Sequence, residues 1–218
     1  MAIVCPTVTA TNMVEYSRQI DNIKEFASQI HIDLMDGKLA PSKSPDIDQI
    51  YWPGNVLADI HLMYMNPKKV LKKIIDLKPN MVIIHPQVRA NISQFTNDLR
   101  LAGIKTGLAV LQSISIDSLK DIISYFDQIL IFSGHLGYQG GQTDLTLLEK
   151  VPQIKNLSNS IEIAWDGGIN DQNASVLVDS GIDVLNVGGF IQDSDNPHLA
   201  YDKIIESLEN IDDAKITN

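Results

Sequence analysis

Pro6-Thr7-Val8-Thr9-Ala10-Thr11-Asn12 follows the first apolar run of the chain, Ala2–Cys5, and contains no glycine. That stretch decides between two parallel-sheet architectures. An open, doubly wound sheet carries a Gly-rich turn after its first strand, where the backbone must approach a bound nucleotide. Working outward, short apolar runs recur at Ile30–Met35, Val56–Met63, Met81–His85, Thr106–Leu111, Ile129–Phe132, Ile161–Trp165 and Val184–Val187. Amphipathic stretches lie between them, at Met13–Ile30, Lys68–Leu77, Ile92–Ala102, Ile116–Phe126, Leu145–Leu157 and Asn173–Ser180. Asn66-Pro67, Gly103 and Gly181 punctuate the junctions. Such alternation implies right-handed βαβ units and a parallel sheet. Eight runs in 218 residues fit an α/β chain closed into a (β/α)8 TIM barrel, one domain spanning 1–218. The polar tail over 211–218 is expected to fray.

Composition narrows the partners. At 44% hydrophobic and 20% charged residues, the chain has ample material for a buried core. A formal net charge of −10 argues against nucleic acid or an anionic membrane as partner. It leaves room for a small anion, because local amides or a metal can dominate one pocket. The single cysteine, Cys5, permits no disulfide within the chain and reads as a small core residue, which suits a cytoplasmic location. The start, Met1-Ala2-Ile3-Val4-Cys5-Pro6, lacks the charged and apolar regions of a signal peptide, and no apolar run is long enough for a bilayer.

Polar residues stand where apolar ones belong. Strand side chains alternate, so Ile30-His31-Ile32-Asp33-Leu34-Met35 places His31, Asp33 and Met35 on one face. Asp59-Ile60-His61-Leu62-Met63 repeats the pattern with His61 and Met63. On the seventh strand Trp165 faces the helices and Asp166 the interior, immediately before Gly167-Gly168. Burying such groups unpaired costs several kcal/mol each. One divalent cation on His31, Asp33, His61 and Asp166 resolves that cost, and zinc, iron, manganese or cobalt all suit the donor set. Met35 and Met63 are expected as apolar walls of the pocket. Glycines cluster after the last three strands, in Gly134–Gln142, Gly167-Gly168 and Gly188-Gly189, where barrels often bind phosphate. Lys38 is expected in solvent, and His85 as a hydrogen-bonded core residue rather than a pocket residue.

These residues resemble the ribulose-phosphate 3-epimerase family over nearly the whole chain. The anchors are His31-Ile32-Asp33-Leu34-Met35-Asp36-Gly37, Asp59–Met63 with Asn66-Pro67, Gly137–Gln142, and Asp166-Gly167-Gly168-Ile169-Asn170. The resemblance implies a barrel of the ribulose-phosphate-binding type and one divalent metal on His31, Asp33, His61 and Asp166. It implies Asp33 and Asp166 as the two acid/base groups that invert C3 of a ketose phosphate through a metal-stabilised enediolate. D-ribulose 5-phosphate, converted to D-xylulose 5-phosphate, is the expected substrate, and a homo-oligomer the expected assembly. Phosphate would lie against Gly140, Gly141, Gly168, Gly188 and Gly189, with Gly137 and Gly167 in the same loops.

The chain also departs from that family's pattern. Pro-Ser-x-x-Ser reads Pro6-Thr7-Val8-Thr9-Ala10, which puts Ala10 where a substrate-contacting serine is expected. Phe132-Ser133-Gly134-His135-Leu136 replaces the usual methionine and Asn-Pro before the glycine loop, and Gly188-Gly189 replaces Gly-Ser. The altered rim keeps two further readings open: a hexulose 6-phosphate such as allulose 6-phosphate as substrate, and a silent barrel that only binds sugar phosphates. A decarboxylase-type barrel fits less well, because Lys38 follows Asp33 and Asp36 instead of standing between aspartates.

Overall fold

The structure, a computed structural model, describes residues 2–138 and 140–216, with side chains to 209. Of the tail over 211–218 expected to fray, the backbone to Ile216 continues the last helix, and 217–218 lie outside the described residues. Eight parallel strands close on themselves in sequence order. They are β1 (Ile3–Val8), β2 (Gln29–Met35), β3 (Leu57–Met63), β4 (Met81–Ile84), β5 (Lys105–Leu111), β6 (Gln128–Phe132), β7 (Glu162–Asp166) and β8 (Val184–Val187). Around them run α1 (Met13–Ile23), α2 (Leu71–Leu77), α3 (Ile92–Leu101), α4 (Lys150–Leu157), α5 (Ala174–Asp179), α6 (Gly189–Gln192) and α7 (Pro197–Ile216).

Local chemistry sets the helix starts. Asn12 accepts the backbone N–H of Glu15 at 3.0 Å and opens α1, and Asn91 does the same for Gln94 and α3. The amphipathic stretch Ile116–Phe126 departs from the pattern. It forms two 3₁₀ turns, Ile116–Leu119 and Ile123–Tyr125, instead of a helix. Ser118 Oγ donates back to the Ser115 carbonyl at 2.6 Å, and two β-branched residues, Ile122 and Ile123, stand together where the second turn begins.

Closure sorts the side chains into two cores. Ile32, Leu34, Ile60, Leu62 and Trp165 point outward and are fully buried under the helices. Inside the barrel, Cys5, Met81, Ile83, Ala109, Leu130, Ala164 and Val184 form a small apolar plug. These plug residues come earlier along their strands than Thr7, His85, Phe132, Asp166 and Asn186, so the polar residues collect at the C-terminal mouth. Cross-strand register fixes that collection, with Thr7 opposite His31, Asp33 opposite His61, Met35 opposite Met63, and Asp166 opposite Asn186.

The plug has no slack at β5. A Cβ on Gly107 would come within 2.7 Å of Ile83 Cγ1 and 3.2 Å of Met81 Sδ. Gly107→Ala is therefore expected to cost about 1–3 kcal/mol by overpacking. Urea unfolding would show a lower midpoint with an unchanged slope, whereas an unmoved midpoint would mean that the plug yields freely.

Candidate active site

His31, Asp33, His61 and Asp166 come together at the mouth. One donor atom from each lies within 4.8 Å of all the others, and all four side chains are buried. His61 Nδ1 is 2.9 Å from Asp33 Oδ1. His31 Nε2 stands 3.5 Å from Asp33 Oδ1 and 3.5 Å from Asp166 Oδ2, bridging the two carboxylates. Thr9 Oγ1 donates to the other oxygen of Asp33, Oδ2, at 2.6 Å.

Two of these buried donor atoms, His31 Nε2 and Asp166 Oδ2, have no hydrogen-bond partner among the described residues. Unpartnered buried nitrogen and oxygen atoms facing one point are costly unless something binds there. The set of two imidazoles and two carboxylates is what a divalent cation takes. The residues present therefore fit a divalent metal.

The electrostatics drive the two aspartates apart. Burial alone would raise the Asp33 carboxyl, but His31 and His61 outweigh it and hold Asp33 well below the usual carboxylate range. At Asp166 burial wins over His31, the Asp33 charge adds to it, and the carboxyl is pushed up to about 7. Burial pulls His61 down despite Asp33, which leaves a neutral ring suited to a ligand. His31 goes the other way, because Asp33, Asp166 and Asp59 together overcome its burial. Burial also raises the Cys5 thiol well above its usual range, so Cys5 is the small core residue expected of it.

Above the cluster opens a cavity of about 280 Å³. Asp33 and Asp166 reach it, along with Thr7, Thr9, Phe132 and Asn170. Glycines from three loops line it: Gly134, Gly140 and Gly141 after β6, Gly167 and Gly168 after β7, and Gly188 and Gly189 after β8. Only glycine fits at the second of these loops. Gly168 has φ +71°, and a Cβ there would sit 2.2 Å from the Thr143 nitrogen. Asp193 and Tyr138 complete the rim, with Asp193 Oδ2 beside Gly189.

Other expected pocket residues lie elsewhere. Met35 and Met63 do face inward, but they are buried with Ala40 under Leu39 and Leu136 and do not line the cavity. The chain after β2 folds back over them, tied by a bridge between Asp36 and Lys43 and by Ser44 N–H donating to the Met35 carbonyl at 3.2 Å. Gly137 meets that same segment, near Ala40, Pro41 and Ser42, instead of the cavity. His135 borders a separate hollow beyond Phe132. Ala10 takes the helix-facing side of its strand end with Val8, whereas Thr7 and Thr9 take the cavity side. The hydroxyls at this edge are thus those of Thr7 and Thr9. Lys38 is exposed and His85 is buried against His61, both as expected.

Barrels whose strand ends aim buried carboxylates into one cavity are enzymes acting on small molecules, and this chain is of that class. It belongs to the Ribulose-phosphate 3 epimerase family, whose profile it matches over residues 3–191. It is therefore an epimerase-type isomerase. The ribulose-phosphate 3-epimerase of Helicobacter pylori (strain J99 / ATCC 700824) is 27% identical over 216 residues, 95% of this chain and 97% of that one. The ribulose-phosphate 3-epimerase of Mycobacterium tuberculosis (strain ATCC 25618 / H37Rv) is 24% identical, covering 91% and 89%. Among solved structures, orotidine 5'-phosphate decarboxylase from Pyrococcus horikoshii OT3 superposes with a TM-score of 0.67 at 16% identity, covering 95% and 99%. That likeness is one of fold. No helix among the described residues is long and apolar enough to cross a membrane.

Because Asp166 is raised when folded, its ionisation penalises the metal-free protein. The penalty is absent below about pH 4 and complete above about pH 7. In chelated protein, Asp166→Asn is expected to raise stability by about 2–4 kcal/mol at pH 8 and by little at pH 4. Denaturation at the two pH values checks this; an equal effect at both would deny that Asp166 carries the penalty.

Proposed function

We propose that this chain inverts C3 of a small ketose phosphate, interconverting D-ribulose 5-phosphate and D-xylulose 5-phosphate. The observation that carries the reading is the pair of buried carboxylates, bridged by His31, that face one cavity with their proton affinities pushed apart. Inversion beside a ketone needs one group to remove the C3 proton and another to return a proton on the opposite face. Asp33, held ionised by its donors, is fitted to be the base; Asp166, which has the higher proton affinity of the two in the metal-free site, is fitted to be the acid. Their roles exchange when the reaction runs backward. Thr9 keeps Asp33 oriented through Oδ2, and the glycine loops offer backbone N–H groups to the phosphate.

His31, Asp33, His61 and Asp166 would hold the divalent metal, which supplies Lewis-acid stabilisation of the charge that develops on the ketone oxygen. Charge balance supports the same reading. No lysine or arginine lines the cavity among the described residues, whereas Asp33, Asp166 and Asp193 do. A phosphorylated substrate entering that field needs a resident cation as well as amides.

With metal-loaded protein and D-ribulose 5-phosphate in deuterated water, D-xylulose 5-phosphate carrying deuterium at C3 is expected by NMR. Asp33→Asn and Asp166→Asn should each lower kcat by about 10²–10⁴. Exchange with allulose 6-phosphate alone would move the assignment to the hexulose, and exchange with neither would leave a sugar-phosphate binder. At the rim, Asp193→Asn removes a like charge beside Gly189 and is expected to lower KM about two- to tenfold with kcat unchanged. Steady-state kinetics at low ionic strength test this; an unchanged KM would place the phosphate away from Gly189.

A further inference from the structure

His85 follows β4 and lies on the inward face of the barrel, one pleat beyond Ile83, which is the cross-strand partner of His61. It is fully buried and does not line the cavity, so it meets no substrate. Its Nε2 is 2.8 Å from His61 Nε2, and the rings lie 22° from parallel with centroids 4.9 Å apart. The opposite nitrogen of His61, Nδ1, is 2.9 Å from Asp33 Oδ1 and so is the one turned toward the donor cluster. The opposite nitrogen of His85, Nδ1, is buried with no hydrogen-bond partner among the described residues.

Two imidazole nitrogens at this separation share one proton, since one must donate and the other accept. A neutral imidazole carries one N–H and one bare nitrogen. Two arrangements then exist. In the first, His61 carries its proton on Nδ1 and donates it to Asp33, while His85 donates from Nε2 to His61; every proton has an acceptor. In the second, His61 is protonated on Nε2 and donates to His85, whose own proton sits on the orphaned Nδ1. A metal ligand must present a bare lone pair. With Nδ1 of His61 in the cluster, a metal selects the second arrangement.

We propose that His85 is the positioning residue for His61: it holds the ring with Nδ1 aimed at the cluster, and the shared proton changes sides when metal binds. Neither ring changes its charge. The proton leaving His61 Nδ1 is balanced by one gained at His85 Nδ1, and the proton between the rings passes from His85 Nε2 to His61 Nε2. The inference rests on the metal reading of the cluster given above, and binding measurements separate the two. They use Zn²⁺ alone as probe and need no substrate.

In histidine-¹⁵N-labelled protein, long-range ¹H–¹⁵N spectra identify the protonated nitrogen of each ring. The expected result is His61 Nδ1–H with His85 Nε2–H before Zn²⁺, and His61 Nε2–H with His85 Nδ1–H after it. Chelator competition should show His85→Phe binding Zn²⁺ about 10–100-fold more weakly. His85→Gln, whose amide oxygen reaches the same place and accepts from His61, should bind within about threefold of the parent. Unchanged tautomers on loading, or unweakened binding by a folded His85→Phe, would overturn the role of His85 while leaving the metal site standing. A parent protein that binds no Zn²⁺ would overturn the metal reading itself, and this inference with it.

Discussion

Asp33 is the side chain on which the mouth of the barrel depends. A carboxylate buried this deeply stays ionised only if donors surround it. Here Thr9 from the end of β1 takes one oxygen, and His61 from β3 takes the other, with His31 near. The fold maintains each of these at a distance. Gln19 of α1 clamps the Thr9 backbone twice, accepting its N–H at 2.8 Å and donating to its carbonyl at 3.0 Å. Gln192 of α6 donates to the Thr7 carbonyl at 3.1 Å, and Asn22 donates in turn to Gln192. Helices on the outside thus set the hydroxyl that sets the carboxylate on the inside. Because strand side chains alternate, a one-residue slip between β2 and β3 would turn His61 toward the helices and leave Asp33 charged without its imidazole.

That alternation also explains what was legible in the chain before folding. His31, Asp33, His61 and Asp166 interrupt apolar runs at positions that share a face, and nothing about a helix-facing strand would tolerate them. Seven of the eight runs marked their strands to within a residue, since a strand buried on both sides must be apolar almost throughout, and the first stopped at Cys5 where β1 continues through Pro6 and Thr7 to Val8. Thr7 and Thr9 were harder to see. Threonine is at home in any strand, so its hydroxyl does not announce a pocket the way a charge does. Ala10 drew attention by position in a motif, but parity along the strand places it with Val8 against the helices.

The loops resisted reading for a different reason. Met35 and Met63 have the right parity and still miss the cavity, because the segment after β2 folds across them and Gly137 lands on that segment. Which loop covers which is decided by contacts between distant pieces of backbone, and no periodicity encodes those. The missing helix at Ile116–Phe126 belongs with them: its spacing is amphipathic, yet short-range hydroxyl bonding and adjacent β-branched residues favour turns.

The acidity of the chain, −10 overall, sharpens the chemistry. Most of that charge sits on the surface, where screening weakens it within about 8–10 Å in physiological salt. The buried pair is different: Asp33 and Asp166 share a poorly solvated site, and the proton affinity of Asp166 rises because a second full negative charge there is expensive. A cation in the cluster would relieve that cost, and a proton on Asp166 relieves it too. The site is therefore built so that charge on the two aspartates is answered either by metal or by proton. An acid/base exchange beside a ketone draws on the same property, because two buried carboxylates that cannot both carry charge cheaply are poised for one to hold a proton while the other is bare.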